Sequence, residues 1–278
     1  MATARAPRTR RGTDAAGSAP AGILACPDCH RVLRPDGDGL RCSRGHAYSA
    51  VNGVIDLWPP SIPTPGTDWF ATPYGVVYDR GIKERWLARA VARAGWGTDI
   101  DRMYRQMDAG VKAAAGEVVL DVPVGGAPPL RSAPGRMRGL YIGIDLSTEM
   151  LRRADRERRA EGLDNVLLVR GDMTHLPLRD RSIDRALCFN GLHVIPDKAA
   201  ALSELHRVLK PGGTLSGNVV ISDTSRRGRV LRPWFSRSWL FFHPADPGEL
   251  RALARDAGFS RWDAERDGSM LYFEAEQD

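Results

Sequence analysis

The sequence predicts an α/β fold: a mostly parallel sheet with helices on both faces, preceded by a small metal-organised ribbon. Three observations lead there. From Glu117 onward, short apolar runs alternate with stretches of helical periodicity, the pattern of strands joined by crossover helices. Three of the four cysteines fall between Cys26 and Cys42, and a histidine follows at His46. Acidic or amide residues close successive apolar runs at Asp121, Asp145, Asp172 and Asn190.

Composition sets the outer limits. The chain has 278 residues, 42% hydrophobic and 27% charged, which suits one medium domain with a small appendage. No apolar run approaches the ~18 residues of a membrane span, and the start lacks the apolar stretch of a secretory signal. A cytoplasmic protein is expected. The net charge is +6, of which residues 1–22 supply half, with four Arg against one Asp. That segment cannot bury a core and reads as a disordered basic tail; a transit peptide and a nucleic-acid arm are the alternatives. The basic residues are 36 Arg and 4 Lys, a bias that reads as GC-rich coding and lowers the weight of every arginine cluster. The cysteine count argues against a disulfide framework in a chain of this length, and Cys188, alone in an apolar run, reads as a small core residue.

The elements follow in order. Residues 23–58 are rich in turn formers and form the ribbon. Residues 59–70 begin with "PPSIPTPG", a stiff linker. Residues 71–116 form a helical cap: "KERWLARAVARAG" has helical spacing, Gly95-Trp96-Gly97 breaks it, and a second helix runs from Asp99 to Ala115. Residues 117–278 form the α/β domain. Its strands are "EVVLDV", "GLYIGID", "NVLLVRGD", "IDRALCFN" and "TLSGNVVIS", with "SMLYFEAEQ" closing the sheet. A short helix follows the first strand. The longer helices are "STEMLRRADRERRAEG", "KAAALSELHRVLKPGG" with a glycine stop, and "PGELRALARDAGF".

Cys26, Cys29, Cys42 and His46 give a C-x2-C-x12-C-x3-H pattern. Tetrahedral zinc takes four such ligands from two close-spaced pairs on knuckles, and a Cys3His set leaves no open position, so the ion is structural. Gly37, Gly39 and Gly45 supply the turns. A segment this short does not hold a fold by burial alone, and Zn2+ provides the missing free energy. His30 falls outside the pairing.

In an open parallel sheet, ligands bind beyond the carboxyl ends of the strands. Asp145 ends the second strand, where a carboxylate accepts from both ribose hydroxyls; Asp172, just after the third, is placed to accept from an exocyclic amine. With the glycine turn of "VLDVPVGGAPPL", the set describes a nucleoside site. A nicotinamide dehydrogenase requires G-x-G-x-x-G here, and "PVGGAPPL" does not supply it.

The ordered set "VLDVPVGG", "YIGIDLSTEML", "LLVRGDMTHLPLRDRSIDRALCFNGLHVIPD" and "ALSELHRVLKPGGTL" resembles the class I S-adenosylmethionine-dependent methyltransferases. It is nearest the small-molecule branch that includes quinone-biosynthesis enzymes, and the likeness covers residues 117–278. The resemblance implies a Rossmann-like sheet and S-adenosyl-L-methionine as cofactor. It implies that Gly125 and Gly126 let the backbone approach the methionine moiety while Asp121 supports the loop. Asp145, with Leu146 beside it, would bind the ribose; Asp172 and the Met173 backbone would bind adenine; Asn190 and Gly191 would border the transfer site. Pro123 and Ala127 stand where such loops carry glycine. Pro123 lacks an N–H but keeps a carbonyl for the cofactor's ammonium. The ribbon, "CPDCHRVL…LRCSRGHAYSAVNGVIDLWP", is similar to that of large-subunit ribosomal RNA guanine-N1 methyltransferases, and equally to ribbon-bearing methyltransferases of unassigned substrate, plastid ones included.

The expected function is in-line methyl transfer to a small hydrophobic or aromatic metabolite. One alternative is a ribosomal RNA methyltransferase that grips RNA with its ribbon; another is a methyltransferase fold that has lost transfer. An acceptor that must lose a proton needs a base, and the candidates are His193 and His243. His206 and His175 read as structural and loop residues. Trp69, Phe70, Tyr74 and Tyr78, with Trp234, Phe235, Trp239, Phe241 and Phe242, would line an acceptor pocket or pack as a helical cap. Arginines among the second group, Arg226 to Arg237, are of the kind that hold phosphates. Oligomeric state is left open.

Overall fold

The computed structural model describes residues 22–51, 53–59, 61–62, 68–72, 84–112, 114–132, 137–222 and 243–278. The expected basic tail, apart from Gly22, half of the linker over residues 59–70 and residues 73–83 of the expected helical cap lie outside them.

Among the described residues, eleven strands join in one sheet. The amino-terminal strands are β1 (Leu33–Asp36), β2 (Gly39–Cys42), β3 (Ala47–Val51) and β4 (Val54–Asp56). Helices α1 (Arg85–Gly95) and α2 (Ile100–Gly110) precede β5 (Val118–Asp121), β6 (Leu140–Asp145), α3 (Thr148–Ala160), β7 (Val166–Arg170) and β8 (Ile183–Phe189). Then come α4 (Lys198–Val208), β9 (Leu209–Val220), α5 (Pro247–Ala257), β10 (Arg261–Asp267) and β11 (Met270–Glu276). The spatial order is β1-β2-β3-β4-β7-β6-β5-β8-β9-β11-β10. Strands β4 to β9 of that order run parallel, and both flanks are antiparallel.

The apolar runs are continuous because both faces of the central strands are covered. Val119 and Leu120, adjacent in β5, are both fully buried, on opposite faces. One face packs Val119, Tyr141, Leu168 and Leu187 against Met103, Met107 and Leu151 of α2 and α3. The other packs Leu120, Ile142 and Val169 against Leu202, Leu205 and Leu250 of α4 and α5. Four of the five described helices start at a capping carboxylate or hydroxyl: Asp99, Ser147, Asp197 and Asp246 accept backbone N–H groups at the starts of α2, α3, α4 and α5, whereas Glu84 before α1 makes no such bond. The left-handed Gly258 closes α5.

Four features differ from expectation. The ribbon is part of the sheet: β4 pairs in parallel with β7, Val54 opposite Leu168 and Asp56 opposite Arg170. Its Leu33, Leu40, Tyr48, Ile55 and Leu57 belong to the same core as Leu176, Leu178 and Val169. The expected glycine stop after α4 lies within β9: the helix ends at Val208, and Leu209 is already extended. Pro211 contributes, because the residue before a proline is pushed out of the helical region. The short helix after β5 is a 3-10 turn, Pro128–Ser132, and α2 ends at Gly110 rather than Ala115. Finally, β10 was not expected. Most of its residues are exposed, so it lacks the alternation that marks a half-buried strand.

Candidate functional site

The four ribbon ligands converge. Cys26, Cys29, Cys42 and His46 each offer one ligand atom, and these atoms lie within 4.8 Å of one another. Cys29 Sγ and Cys42 Sγ are 3.7 Å apart, and Cys26 Sγ is 3.2 Å from His46 Nδ1. A tetrahedral ion with Zn–S bonds of about 2.3 Å requires S–S edges of about 3.8 Å, so the donor set fits zinc. Gly45 adopts φ +91 and donates its N–H to the Cys42 carbonyl at 2.9 Å, turning the second knuckle toward His46. Burial pushes the Cys26 thiol up to about 11, and the Tyr48 hydroxyl, 3.1 Å away, opposes it. His30 is exposed and outside the cluster.

The second constellation lies beyond the carboxyl ends of β5, β6 and β7. Strand order reverses at β5, which has β6 on one side and β8 on the other, and such a switch point opens a crevice. The chain leaves β5 through Pro123 and turns at Gly125, whose φ is +54. Gly125 N donates to Asp145 Oδ2 at 2.8 Å, and Ser147 N donates to Asp145 Oδ1 at 2.8 Å. Asp145 is thereby fixed at the tip of β6. Burial pushes its carboxyl up to about 6; those amides oppose the shift, and the nearby Asp68 charge adds to it. Leu146, next along, is 44% exposed, an apolar side chain offered to a ring. Asp172 Oδ1 accepts from Thr174 N at 2.8 Å, which turns the loop after β7, and Met173 is buried behind it.

Asp121, at the tip of β5, is buried. Tyr141 donates its hydroxyl to one carboxylate oxygen, while Oδ1 is buried without a partner. Burial pushes this carboxyl up to about 7, Tyr141 opposes, and Asp145 adds to it. An orphaned acceptor under a glycine turn suits a cationic ligand, which an S-adenosylmethionine ammonium and sulfonium would supply. Gly126 and Ala127 are buried in the same turn; Ala127 takes φ +49, a left-handed conformation more usual for glycine. Asn190, also left-handed at φ +54, is held by its N–H on Asn218 Oδ1 at 2.8 Å. A side chain at Gly191 would press on Pro123 Cδ at 2.5 Å and Cys188 Sγ at 2.9 Å, so only glycine lets the two loops meet.

The histidines separate. His193 is buried, and burial, with Lys198 second, pushes its pKa down to about 3. It is neutral near pH 7 and too weak to take a proton from an acceptor, so its expected role as general base is not supported. Val220 N points at its Nδ1 from 3.4 Å. His243 is exposed, and its N–H donates to the His193 carbonyl at 2.6 Å. His206 packs edge-on against Phe259 at 5.1 Å, and His175 is an exposed loop residue. Of the expected acceptor-pocket aromatics, Tyr74, Tyr78 and Trp234 to Phe242 lie outside the described residues, as do Arg226 to Arg237; Phe70 is half-buried. An open groove lined by Gln106, Arg185, Thr214 and Glu274 lies at the opposite, amino edge of β8 and β9, away from this constellation.

Three further residues join the site. Asp68, expected in a linker, caps α3: it accepts from Ser147 Oγ at 2.8 Å and from Glu149 N at 3.2 Å. Two residues on, the Phe70 carbonyl accepts from Arg153 at 3.0 Å. Tyr141 is the one hydroxyl-bearing side chain in the buried run of β6, a signal that could have marked it. Arg170 ends β7 beside the Asp145 loop, and nothing in the sequence separated it from the other arginines.

The family comparisons agree with this geometry. Residues 120–216 match the family described as "Methyltransferase domain". A demethylmenaquinone methyltransferase of Geobacillus kaustophilus is 40% identical over 171 residues, 52% of this chain and 71% of that protein. An uncharacterized chloroplastic methyltransferase of Arabidopsis thaliana is 24% identical over 280 residues, 91% of this chain and 77% of that one. The phosphoethanolamine N-methyltransferase 2 of Haemonchus contortus, solved with S-adenosyl-L-methionine, shares the fold with a TM-score of 0.54 at 18% identity, over 63% of this chain and 52% of that one. With a switch-point carboxylate pair, a glycine turn and these relatives, the chain belongs to the class I S-adenosylmethionine-dependent methyltransferases.

Proposed function

We propose that the protein methylates a small hydrophobic or aromatic metabolite. The observation that carries this reading is the chain's likeness to enzymes named for demethylmenaquinone, over 71% of the length of one of them. When bound, S-adenosylmethionine supplies a methyl group already activated by its sulfonium. The chain's task is then to bind, orient and exclude water. Asp145 would accept the ribose hydroxyls, Leu146 would cover the nucleoside, and Asp172 with the Met173 backbone would meet the adenine edge. Pro123, Gly125 and Gly126 would line the methionine end, with the free Asp121 oxygen below them. Asn190 and Gly191 would face the transferred methyl. For an acceptor that must release a proton, the exposed His243 is the better placed of the two histidines.

The ribosomal RNA reading draws less support. Residues 23–58 hold four Arg and four Asp and no other charged residue apart from their histidines, so the ribbon carries no net positive charge, whereas RNA grips are basic. The Cys3His set is best read as a structural zinc site.

Calorimetry with S-adenosylmethionine and S-adenosylhomocysteine, followed by transfer assays on reduced quinones and on ribosomal RNA, tests the proposal. Methylation of the quinols supports it. Transfer to RNA alone, with steep salt dependence, refutes it.

A further inference from the structure

Sequence alone treats the ribbon as an appendage, yet its last strand ends beside the loop that carries Asp145 and Leu146. We propose that the ribbon is a positioning element of the nucleoside site and acts through Arg170. The inference rests on the reading above that Asp145, Leu146 and Asp172 face the nucleoside.

The Arg170 guanidinium spans the two units. Its Nη1 donates to Asp56 Oδ2 at 3.0 Å, and its Nε donates to the Leu146 carbonyl at 3.3 Å. The guanidinium carbon lies 5.3 Å from the centre of the Trp58 ring. Asp56 and Trp58 both come from the end of the ribbon and are locked to each other: Trp58 N donates to Asp56 Oδ1 at 3.1 Å, and Trp58 Nε1 donates to the Ile62 carbonyl at 2.8 Å. The guanidinium is a rigid planar fork, so fixing one prong on Asp56 and one face on Trp58 fixes where the other prong meets Leu146.

The ribbon also clamps the loop that carries Asp172 and Met173. Before the loop, Leu57 N donates to the Arg170 carbonyl at 2.9 Å; after it, Ala25 N donates to the Pro177 carbonyl at 3.0 Å and Arg179 N donates to the Ile23 carbonyl at 3.0 Å. Leu24 and Leu178 form an isolated bridge in the same place. Both walls of the nucleoside crevice on this side are therefore held in place before any ligand arrives, and a preorganised wall spends less binding free energy on ordering.

The test uses the full, zinc-loaded chain and calorimetry with two probes, S-adenosylhomocysteine and adenosine, which lacks the amino-acid end. Arg170→Met keeps the stem on Trp58 but removes both donors; it is expected to weaken both probes about tenfold, the loss of one hydrogen bond to a charged group. Asp56→Asn should weaken both by a smaller factor. Because Asp56 acts through Arg170, the double variant should bind no worse than Arg170→Met alone. Arg170→Lys, which keeps the ion pair, should fall between. Zinc content and melting temperature identify any variant that has merely lost its fold, and Arg170→Lys then carries the test. Wild-type affinity for both probes in the Arg170 variants, with binding lost in Asp145→Ala, overturns the inference and leaves the site assignment intact. Additive losses in the double variant also overturn it. Unchanged binding in Asp145→Ala overturns both.

Discussion

Lowering the pH from 7.5 to 5 should weaken S-adenosylhomocysteine binding at least about tenfold, the share that Asp145 alone accounts for. Its carboxyl is buried, and burial raises it from 3.8 to about 6 even though Ser147 N and Gly125 N both donate to it. That shift of roughly two units corresponds to ~3 kcal/mol. The ionised form offers both oxygens to the ribose hydroxyls, whereas in the neutral acid one of them carries a proton and acts as a donor. At pH 7.5 nearly every molecule is competent; at pH 5 about one in ten is, and the apparent Kd rises in inverse proportion. Stability runs the opposite way. A carboxyl raised on folding contributes stability that is full below its unfolded value and lost as pH rises through its folded value. Asp145 loses its share through about 6, and Asp121, beside it, through about 7. The ligand-free protein should therefore lose this contribution between pH 4 and 7.5, over the range in which affinity climbs. Calorimetry at pH 5, 6 and 7.5, paired with melts with and without ligand, reads both slopes. Asp145→Asn should bind weakly and with a shallower pH dependence, the remainder belonging to Asp121. A wild-type affinity that is flat over this range, or an Asp145→Asn variant with the wild-type slope, would refute the reasoning.

Other outcomes follow from the same geometry. Elemental analysis should find about one zinc per chain, and chelation should lower the melting temperature of the whole protein in one transition, because Cys26 and Cys42 share a core with Val169 and Leu178; two separate transitions would count against this. Tyr141→Phe leaves both Asp121 oxygens buried without a donor and should cost about 1–3 kcal/mol in denaturant unfolding at pH 7.5. Gly191→Ala drives a methyl toward Pro123 and Cys188 and should cost about 1–3 kcal/mol, with weaker cofactor binding by calorimetry. His193→Gln should leave the pH profile of turnover unchanged, since a group with a pKa of about 3 does not titrate in the working range.

The parallel sheet was legible because the central strands are short apolar runs, most of them ended by a polar residue, and the crossovers through α3 and α4 have helical spacing and a cap. Asp121, Asp145 and Asp172 could be placed for the same reason: position at a strand end is written in the run that precedes it. The convergence of Cys26, Cys29, Cys42 and His46 was legible from spacing alone. What escaped was information carried between distant segments. Strand β4 is three residues long and shows no period, so its partner could not be read. Asp68 sits in a proline-rich stretch and becomes a helix cap only because the chain returns over Ser147. Arg170 was hidden among 36 arginines. The low basicity of His193 was not legible because it comes from burial, which depends on packing that lies outside its local sequence.

The parallel pairing of β4 with β7 also has a temporal meaning. Asp56 meets Arg170 across 114 residues, so a ribosome must add all of them before the ribbon's last strand finds its neighbour. At typical synthesis rates of about 5–20 residues per second, that interval is roughly 6–20 s. During it the ribbon has only its own hairpins and the proposed zinc to hold it, with the open edge of β4 and the apolar Ile55 and Leu57 exposed to other nascent chains. With zinc as the proposed occupant of the Cys3His cluster, metal supply in that window should govern the yield of folded enzyme, and zinc depletion of the expressing cell should lower that yield.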